Sequence, residues 1–239
     1  MLPRIGGLAT MPSRAASLRR ALPAILPQVD RLYLYLDKYE HVPADLAAIP
    51  NVVCERPAPG APSLGAAGKF AALDHHREPC LFFGFDDDIV YAPDHVATLT
   101  AALRRHRYRA LVGVHGAIYD VPCGSYVKER KLLPFRLGLD FDACVDELGT
   151  GTIAFHSSAL TLEHRQWRHP NMSDLHLMID AVRQEVPRIA IRRAAGFAHP
   201  IRQNQPDSLY RESQQDDSVQ TALLREAMVC YPSRWCNSA

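Results

Sequence analysis

The chain lacks any apolar run that could cross a bilayer. A membrane-spanning helix takes about 20 mostly apolar residues, whereas the most apolar stretch here, Cys80 to Phe85, is six residues long. The opening residues MLPRIGGLATMPSR lack the basic-then-apolar pattern of a secretory signal. Its six cysteines, Cys54, Cys80, Cys123, Cys144, Cys230 and Cys236, include no C-x-x-C and no zinc-ligand spacing. We therefore expect free, mostly buried thiols in a reducing compartment, and a cytoplasmic location. Excess charge is also missing: 27 basic residues against 26 acidic give +1, so no global field favours nucleic acid or an anionic surface. Lysine is scarce, four residues against 23 arginines; both carry one positive charge, so this says nothing about partners. With 47% hydrophobic and 22% charged residues the composition excludes a disordered chain. A length of 239 residues suits one large domain spanning 1–239.

Short apolar runs alternate with amphipathic stretches, which predicts an α/β sandwich with a mixed central sheet flanked by helices. Strands are expected at Ile5 to Thr10, Arg31 to Leu36, Asn51 to Cys54, Cys80 to Phe85, Ala110 to Ile118, Thr150 to Phe155 and Ile189 to Ile191. Helices are expected after Ser13, with Leu18, Leu22 and Ile25 on one face, at Lys69 to His76, and from Pro93-Asp94 through Val96, Leu99 and Leu103. Two more are expected at Met172 to Val182 and at Asp216 to Met228, the last with Val219, Leu223 and Ala227 inward. Residues 57–68 hold three Pro and three Gly and read as a ligand-facing loop, while 119–148 look irregular. About 1–118 would form one half and 119–239 the other.

Five segments could carry chemistry. Asp86-Asp87-Asp88 follows directly on the apolar run, and three adjacent carboxylates repel one another unless a cation or donors offset them. Mg²⁺ and Mn²⁺ prefer oxygen ligands, often one or two carboxylates completed by substrate phosphates. A bare acidic triplet also reads as a solvated turn before a helix. Asp174, in Met172-Ser173-Asp174, is either a helix cap or a general base held near a reacting centre. Gly149-Thr150-Gly151 permits close backbone approach to a ligand or is a simple turn. His199 after a strand is a structural residue or a metal ligand. Gly65-Ala-Ala-Gly68-Lys69 offers a cation to phosphates but lacks the P-loop pattern.

In order along the chain, Ala9-Thr-Met-Pro-Ser-Arg14, Tyr33 to Tyr39, Gly68-Lys69-Phe70 and Asp86-Asp-Asp-Ile-Val-Tyr91-Ala-Pro93-Asp94 are followed by Gly149-Thr-Gly151-Thr, Met172-Ser-Asp174 and Ser208-Leu-Tyr210. This series resembles the GT-A-fold glycosyltransferases of bacterial surface polysaccharide synthesis, akin to glycosyltransferase family 2, over residues 4–224. The resemblance implies a nucleotide-binding first half and an acceptor-binding second half. Thr10, Pro12 and Arg14 would line the nucleotide pocket, with Asp37 near the base and Lys69 at the base or diphosphate. Asp86 and Asp87 would lie on the donor side, and Gly149, Thr150 and Gly151 on the acceptor side. Asp88, with Asp86 and His199, would hold Mn²⁺ or Mg²⁺, and Asp174 would be the catalytic base. The chain departs from the pattern at Ser63-Leu-Gly-Ala-Ala, where acidic residues are expected.

The expected activity is thus an inverting transfer from a nucleotide sugar, a UDP-sugar by default, to a hydroxyl of a saccharide or lipid-linked acceptor. Arg104 to Arg109 could touch the anionic lipid carrying such an acceptor, or form a solvated helix end. No nucleic-acid motif is present. Asp86-Asp-Asp88-Ile-Val90 also fits the D-x-D-x-[TV] motif of haloacid-dehalogenase-type phosphatases. That motif normally sits on the first strand with a later Gly-Asp, and this chain has no Gly-Asp dipeptide. A nucleotidyltransferase would need a richer Gly loop than Ile5-Gly-Gly-Leu-Ala-Thr. A non-catalytic nucleotide-sugar-binding module is the remaining alternative.

Overall fold

The computed structural model describes residues 2–76, 78–201 and 213–236. Strands run as β1 (Arg4–Thr10), β2 (Arg31–Leu36), β3 (Val52–Glu55), β4 (Leu81–Phe85), β5 (Ile89–Tyr91), β6 (Leu111–Gly113) and β7 (Gly116–Tyr119). They continue as β8 (Arg130–Leu133), β9 (Ala143–Cys144), β10 (Glu147–Leu148), β11 (Ile153–His156), β12 (Arg188–Ala190) and β13 (Ala198–Pro200). The α-helices are α1 (Ala15–Ile25), α2 (Ala44–Ala47), α3 (His95–Arg105), α4 (Ser173–Arg183) and α5 (Ser218–Cys230). No helix among the described residues is long and apolar enough to cross a membrane.

Eight strands form one sheet in the order β3-β2-β1-β4-β11-β6-β12-β9. The first four are parallel. Strand β11 runs antiparallel to both β4 and β6, β12 parallel to β6, and β9 antiparallel to β12. The sheet is mixed, as expected, and both halves of the chain contribute to it. Chain order reverses between β1 and β4: β2 and β3 lie on one side, β4 on the other. The loops leaving the carboxyl ends of such strands diverge and open a crevice. Because β1, β2 and β4 are parallel, Thr10, Asp37 and Asp86 all arrive at that one edge.

Alternation along β4 explains why its run has no polar position. Leu81, Phe83 and Phe85 join the cluster that contains Leu18, Leu22 and Ile25 of α1 and Val96, Leu99 and Leu103 of α3. Phe82 points to the opposite face, with Phe70, Phe155, Leu177 and Ala181. A strand covered on both faces reads as continuous apolar sequence. Full burial of each large apolar side chain is worth roughly 1.5–3 kcal/mol, so β4 is held firmly enough to carry an acidic turn at its end.

Several expectations need correction. Ser13 does not cap α1; it lies in a 3-10 turn, Pro12–Arg14, and Arg14 occupies the N-cap. The stretch expected as one strand over 110–118 bends after Gly113, giving β6 to the large sheet and β7 to a second sheet, β10-β7-β8. Thr150–Thr152 is a 3-10 turn, so β11 begins only at Ile153. The helix expected from Lys69 is 3-10 and starts earlier, at Gly65, inside the expected loop. Residues 119–148 are largely irregular, as expected, but hold three short strands, β8, β9 and β10, which are too short and, in β8, too exposed to show a clear alternation. In helix α5 Ala227 is buried and Leu223 packs against the core as expected, but Thr221, Leu224 and Met228 complete the buried face and Val219 is 42% exposed. All six thiols are free, but only Cys80 and Cys123 are buried. The Ser208-Leu-Tyr210 element lies outside the described residues.

Candidate active site

The crevice at the ends of β1, β2 and β4 is a cleft of about 940 Å³, within the range that accommodates cofactor-sized ligands. Its walls include Thr10, Arg14, Asp37, Lys69, Asp86, Asp87, Asp88, Thr150 and Asp174. Residues spread over more than 160 positions thus meet at one sheet edge.

The acidic turn is held residue by residue. Asp87 turns inward, where Thr10 Oγ1 donates to its Oδ2 at 2.6 Å. Burial raises Asp87 to about 7, against the opposing Thr10 hydrogen bond, and the charges of Asp88 and Asp86 add to the rise. Asp88 accepts from Arg14 Nη1 at 3.2 Å; burial and then the neighbouring charge of Asp86 raise its pKa, while Arg14 opposes the rise. Asp86 accepts from Lys69 Nζ at 2.5 Å. Tyr91 Oη accepts from the Asp86 backbone N–H at 2.7 Å and donates to the Gly151 carbonyl at 2.7 Å, bolting the turn to the 150–152 segment.

Lys69 is only 3% exposed, an unusual place for an ammonium group unless paired. It is delivered there by backbone contact: a Cβ at Gly7 would collide with the Lys69 carbonyl, so only glycine on β1 lets this segment lie close over the sheet. Lys69 Nζ also donates to Thr150 Oγ1 at 3.2 Å, and Thr150 Oγ1 donates in turn to Asp174 Oδ1 at 2.6 Å. The Thr150 backbone N–H donates to the same oxygen at 2.8 Å. Asp174 sits in the first turn of α4, and among the described residues its Oδ2 has no hydrogen-bond partner. One carboxylate oxygen is therefore anchored, and the other is available to a substrate hydroxyl. Thr150, which also lines the cleft, links the acidic turn to Asp174 through Lys69.

Other expected residues fall differently. Asp37 lines the cleft and accepts from Ser63 Oγ at 2.5 Å. Pro12 is exposed, and Thr10, Met11 and Arg14 line the wall around it. Gly149 and Gly151 support Thr150 from either side; a Cβ on Gly151 would run into the Asp86 carboxylate. His199 is exposed on β13, where the alternation that puts Pro200 into the cleft wall leaves His199 outside it. It does not join the acidic turn as a third ligand.

The cleft floor holds groups that the sequence reading missed: His115, Tyr126, Arg130 and Glu147. Tyr126 Oη hydrogen-bonds the Glu147 carboxyl group, 3.0 and 2.9 Å from its two oxygens. Arg130 stacks over the Tyr126 ring at 4.8 Å and lies 3.9 Å from Glu147. Burial, reinforced by Asp174, pushes Glu147 up to about 8; Arg130 and Tyr126 only partly counter this. His115 is lowered by burial, against the raising effect of Asp174, and its Nδ1 has no partner among the described residues. The one signal for this floor in the sequence is Asp146-Glu147 embedded between Val145 and Leu148, two carboxylates where an apolar strand is otherwise forming.

Each carboxylate of the turn has a protein partner, Asp87 in Thr10, Asp86 in Lys69 and Asp88 in Arg14, so a hard cation on Asp86 and Asp88 would share them with these two basic side chains. Among the described residues no cluster of three or more His, Cys, Asp or Glu side chains is placed to hold a metal ion. The chemistry of this donor set, two carboxylates beside a cleft, fits Mg²⁺ or Mn²⁺ with remaining positions taken by phosphate oxygens and water. Comparison with protein-family models finds no match, and comparison with curated proteins finds none either.

Proposed function

We propose that the chain is a GT-A-like glycosyltransferase. It moves a sugar from a nucleoside diphosphate donor, uridine-based by default, to a hydroxyl of a saccharide or lipid-linked acceptor. The observation that carries this reading is the meeting of the acidic turn and Asp174 in one cleft, joined through Lys69 and Thr150.

The chemistry follows from charge. Breaking a sugar–phosphate bond leaves negative charge on the departing diphosphate and positive charge at the anomeric carbon. A divalent ion held by Asp86 and Asp88 would supply Lewis-acid stabilisation to that diphosphate, worth several kcal/mol. Arg14 and Lys69 place two further positive charges beside the same turn. Asp174 takes the acceptor proton on Oδ2 while Thr150 holds Oδ1; general-base action of this kind contributes ~10²–10⁴-fold. Attack opposite the leaving group inverts the anomeric centre. Thr10 and Asp37, at the ends of β1 and β2, face the nucleoside end of the donor.

A panel of nucleotide sugars with and without Mn²⁺, read by thermal unfolding and then by donor turnover, tests this. A donor at about 100 times its Kd adds roughly 2.7 kcal/mol of stability. Metal-dependent stabilisation together with acceptor-dependent release of nucleoside diphosphate is the expected result. Stabilisation with no turnover on any acceptor would leave a binding module, and release of phosphate from a phosphomonoester with no response to nucleotide sugars would favour the phosphatase alternative. NMR of the product reads the anomeric configuration, and retention would refute the single-displacement scheme.

A further inference from the structure

Cys144 and Cys236 are 92 residues apart in sequence, yet their sulfurs lie 2.7 Å from each other. Cys144 ends β9 at the margin of the eight-stranded sheet and is exposed. Cys236 follows α5 and the 3-10 turn Pro232–Arg234. This proximity is built rather than incidental. The Cys236 backbone N–H donates to Asp146 Oδ1 at 2.7 Å, and the other oxygen of Asp146 accepts from the Tyr119 N–H at 2.8 Å. Arg188 Nε donates to the Asp146 carbonyl at 2.8 Å, and Trp235, 4% exposed, packs the segment against Leu224 and Met228 of α5 and Met178 of α4. Both cysteines are therefore fixed by neighbours that do not depend on the sulfurs.

We propose that Cys144 and Cys236 form a reversible intramolecular disulfide, a redox-modification site responding to small-molecule disulfides of the glutathione type. The Cys144 thiolate attacks one sulfur of the small disulfide, forming a mixed disulfide and releasing one small thiolate. The Cys236 sulfur, deprotonated as it attacks, then displaces the second small thiolate and closes the Cys144–Cys236 bond. The protein loses two protons and two electrons, and the small disulfide becomes two thiols. The order of attack follows exposure and chemistry. Cys144 is the accessible sulfur, and the hydrogen bond from Cys236, against the cost of burial and with help from Arg188, lowers its pKa to about 7, so thiolate is present at neutral pH. The linkage would tie the end of α5 to the sheet margin. Val219 and Gln220 at the start of α5 line the cleft, and Glu147 on its floor lies three residues beyond Cys144. The bond would thus fasten one wall of the cleft to its floor.

The test uses the full chain, reduced, desalted, and incubated with oxidised glutathione under native conditions. Free thiols are then counted after denaturation, and the peptides are mapped. The count should fall from six to four, with a single Cys144–Cys236 linked peptide, and reducing agent should restore it. The oxidised protein should melt at a higher temperature than the reduced one, and Cys144→Ser should abolish that redox-dependent difference while leaving the reduced melting temperature unchanged. Cys236→Ser should trap Cys144 as a stable mixed disulfide with glutathione. A count that stays at six, a mixed disulfide on Cys144 that never resolves in the wild-type chain, or a linked peptide that uses Cys230 or Cys54 would overturn the proposal. None of these readouts depends on the transferase reading.

Discussion

Replacing Glu147 by Gln should change how stability depends on pH. Glu147 is 4% exposed, hydrogen-bonded to Tyr126 Oη at 2.9 and 3.0 Å, and near Arg130 and Asp174. Burial, and then the charge of Asp174, hold its pKa at about 8 in the fold, against 4.5 for an unperturbed glutamate. Between those two values the folded chain keeps a proton that the unfolded chain has released. The stabilisation tied to that proton is complete below the unfolded pKa and is lost as pH rises through the folded one, at about 1.4 kcal/mol per pH unit. Over the full window this amounts to roughly 5 kcal/mol. Glutamine has the same shape, keeps a polar partner for Tyr126 and does not titrate. The stability of Glu147→Gln relative to wild type should therefore climb by roughly 3–4 kcal/mol between pH 5 and pH 8. Urea unfolding of both proteins at several pH values measures it, and comparing variant with wild type cancels the other titrating carboxylates. Parallel stability curves would refute the reasoning, since they would mean that Glu147 ionises alike in the folded and unfolded chains.

Gly151→Ala puts a methyl group against the Asp86 carboxylate; metal-dependent stabilisation by donor should fall at least tenfold in apparent affinity, and unchanged titrations would place Asp86 outside the site. Lys69→Met puts an apolar chain of similar length in place of the buried ammonium and leaves the part-exposed Asp86 without its partner. Stability should fall by roughly 3 kcal/mol, the low end for losing one member of a buried pair, while donor affinity drops more than tenfold in calorimetry. A collapse of stability with intact binding would make Lys69 structural. Asp88→Asn should weaken metal-dependent donor binding in the same assay, and unchanged binding would remove Asp88 from the ligand set. Asp174→Asn should leave donor binding intact and lower turnover by ~10²–10⁴-fold; equal loss of both would assign Asp174 a structural role.

The central strand, the acidic turn and the helices α1, α3 and α4 were legible in the chain because each is a local pattern. An apolar run covered on both faces, an apolar stripe of helical period and a proline-marked turn announce themselves within ten residues. Local pattern also singled out the Asp86-Asp87-Asp88 triplet and Asp174 as groups that chemistry could use. What no window of sequence contains is that Lys69 would be buried between Asp86 and Thr150, that Thr150 would turn to Asp174, or that His199 would face outward while Pro200 lines the cleft. The floor formed by Tyr126, Arg130 and Glu147 was equally hidden, because two- and four-residue strands become strands only when a neighbour supplies their hydrogen bonds. Strand order and crossing backbones decide such neighbours, and they depend on the whole chain closing around one core. The acidic turn and Asp174 were therefore written locally, whereas the floor and the geometry of the site came from packing.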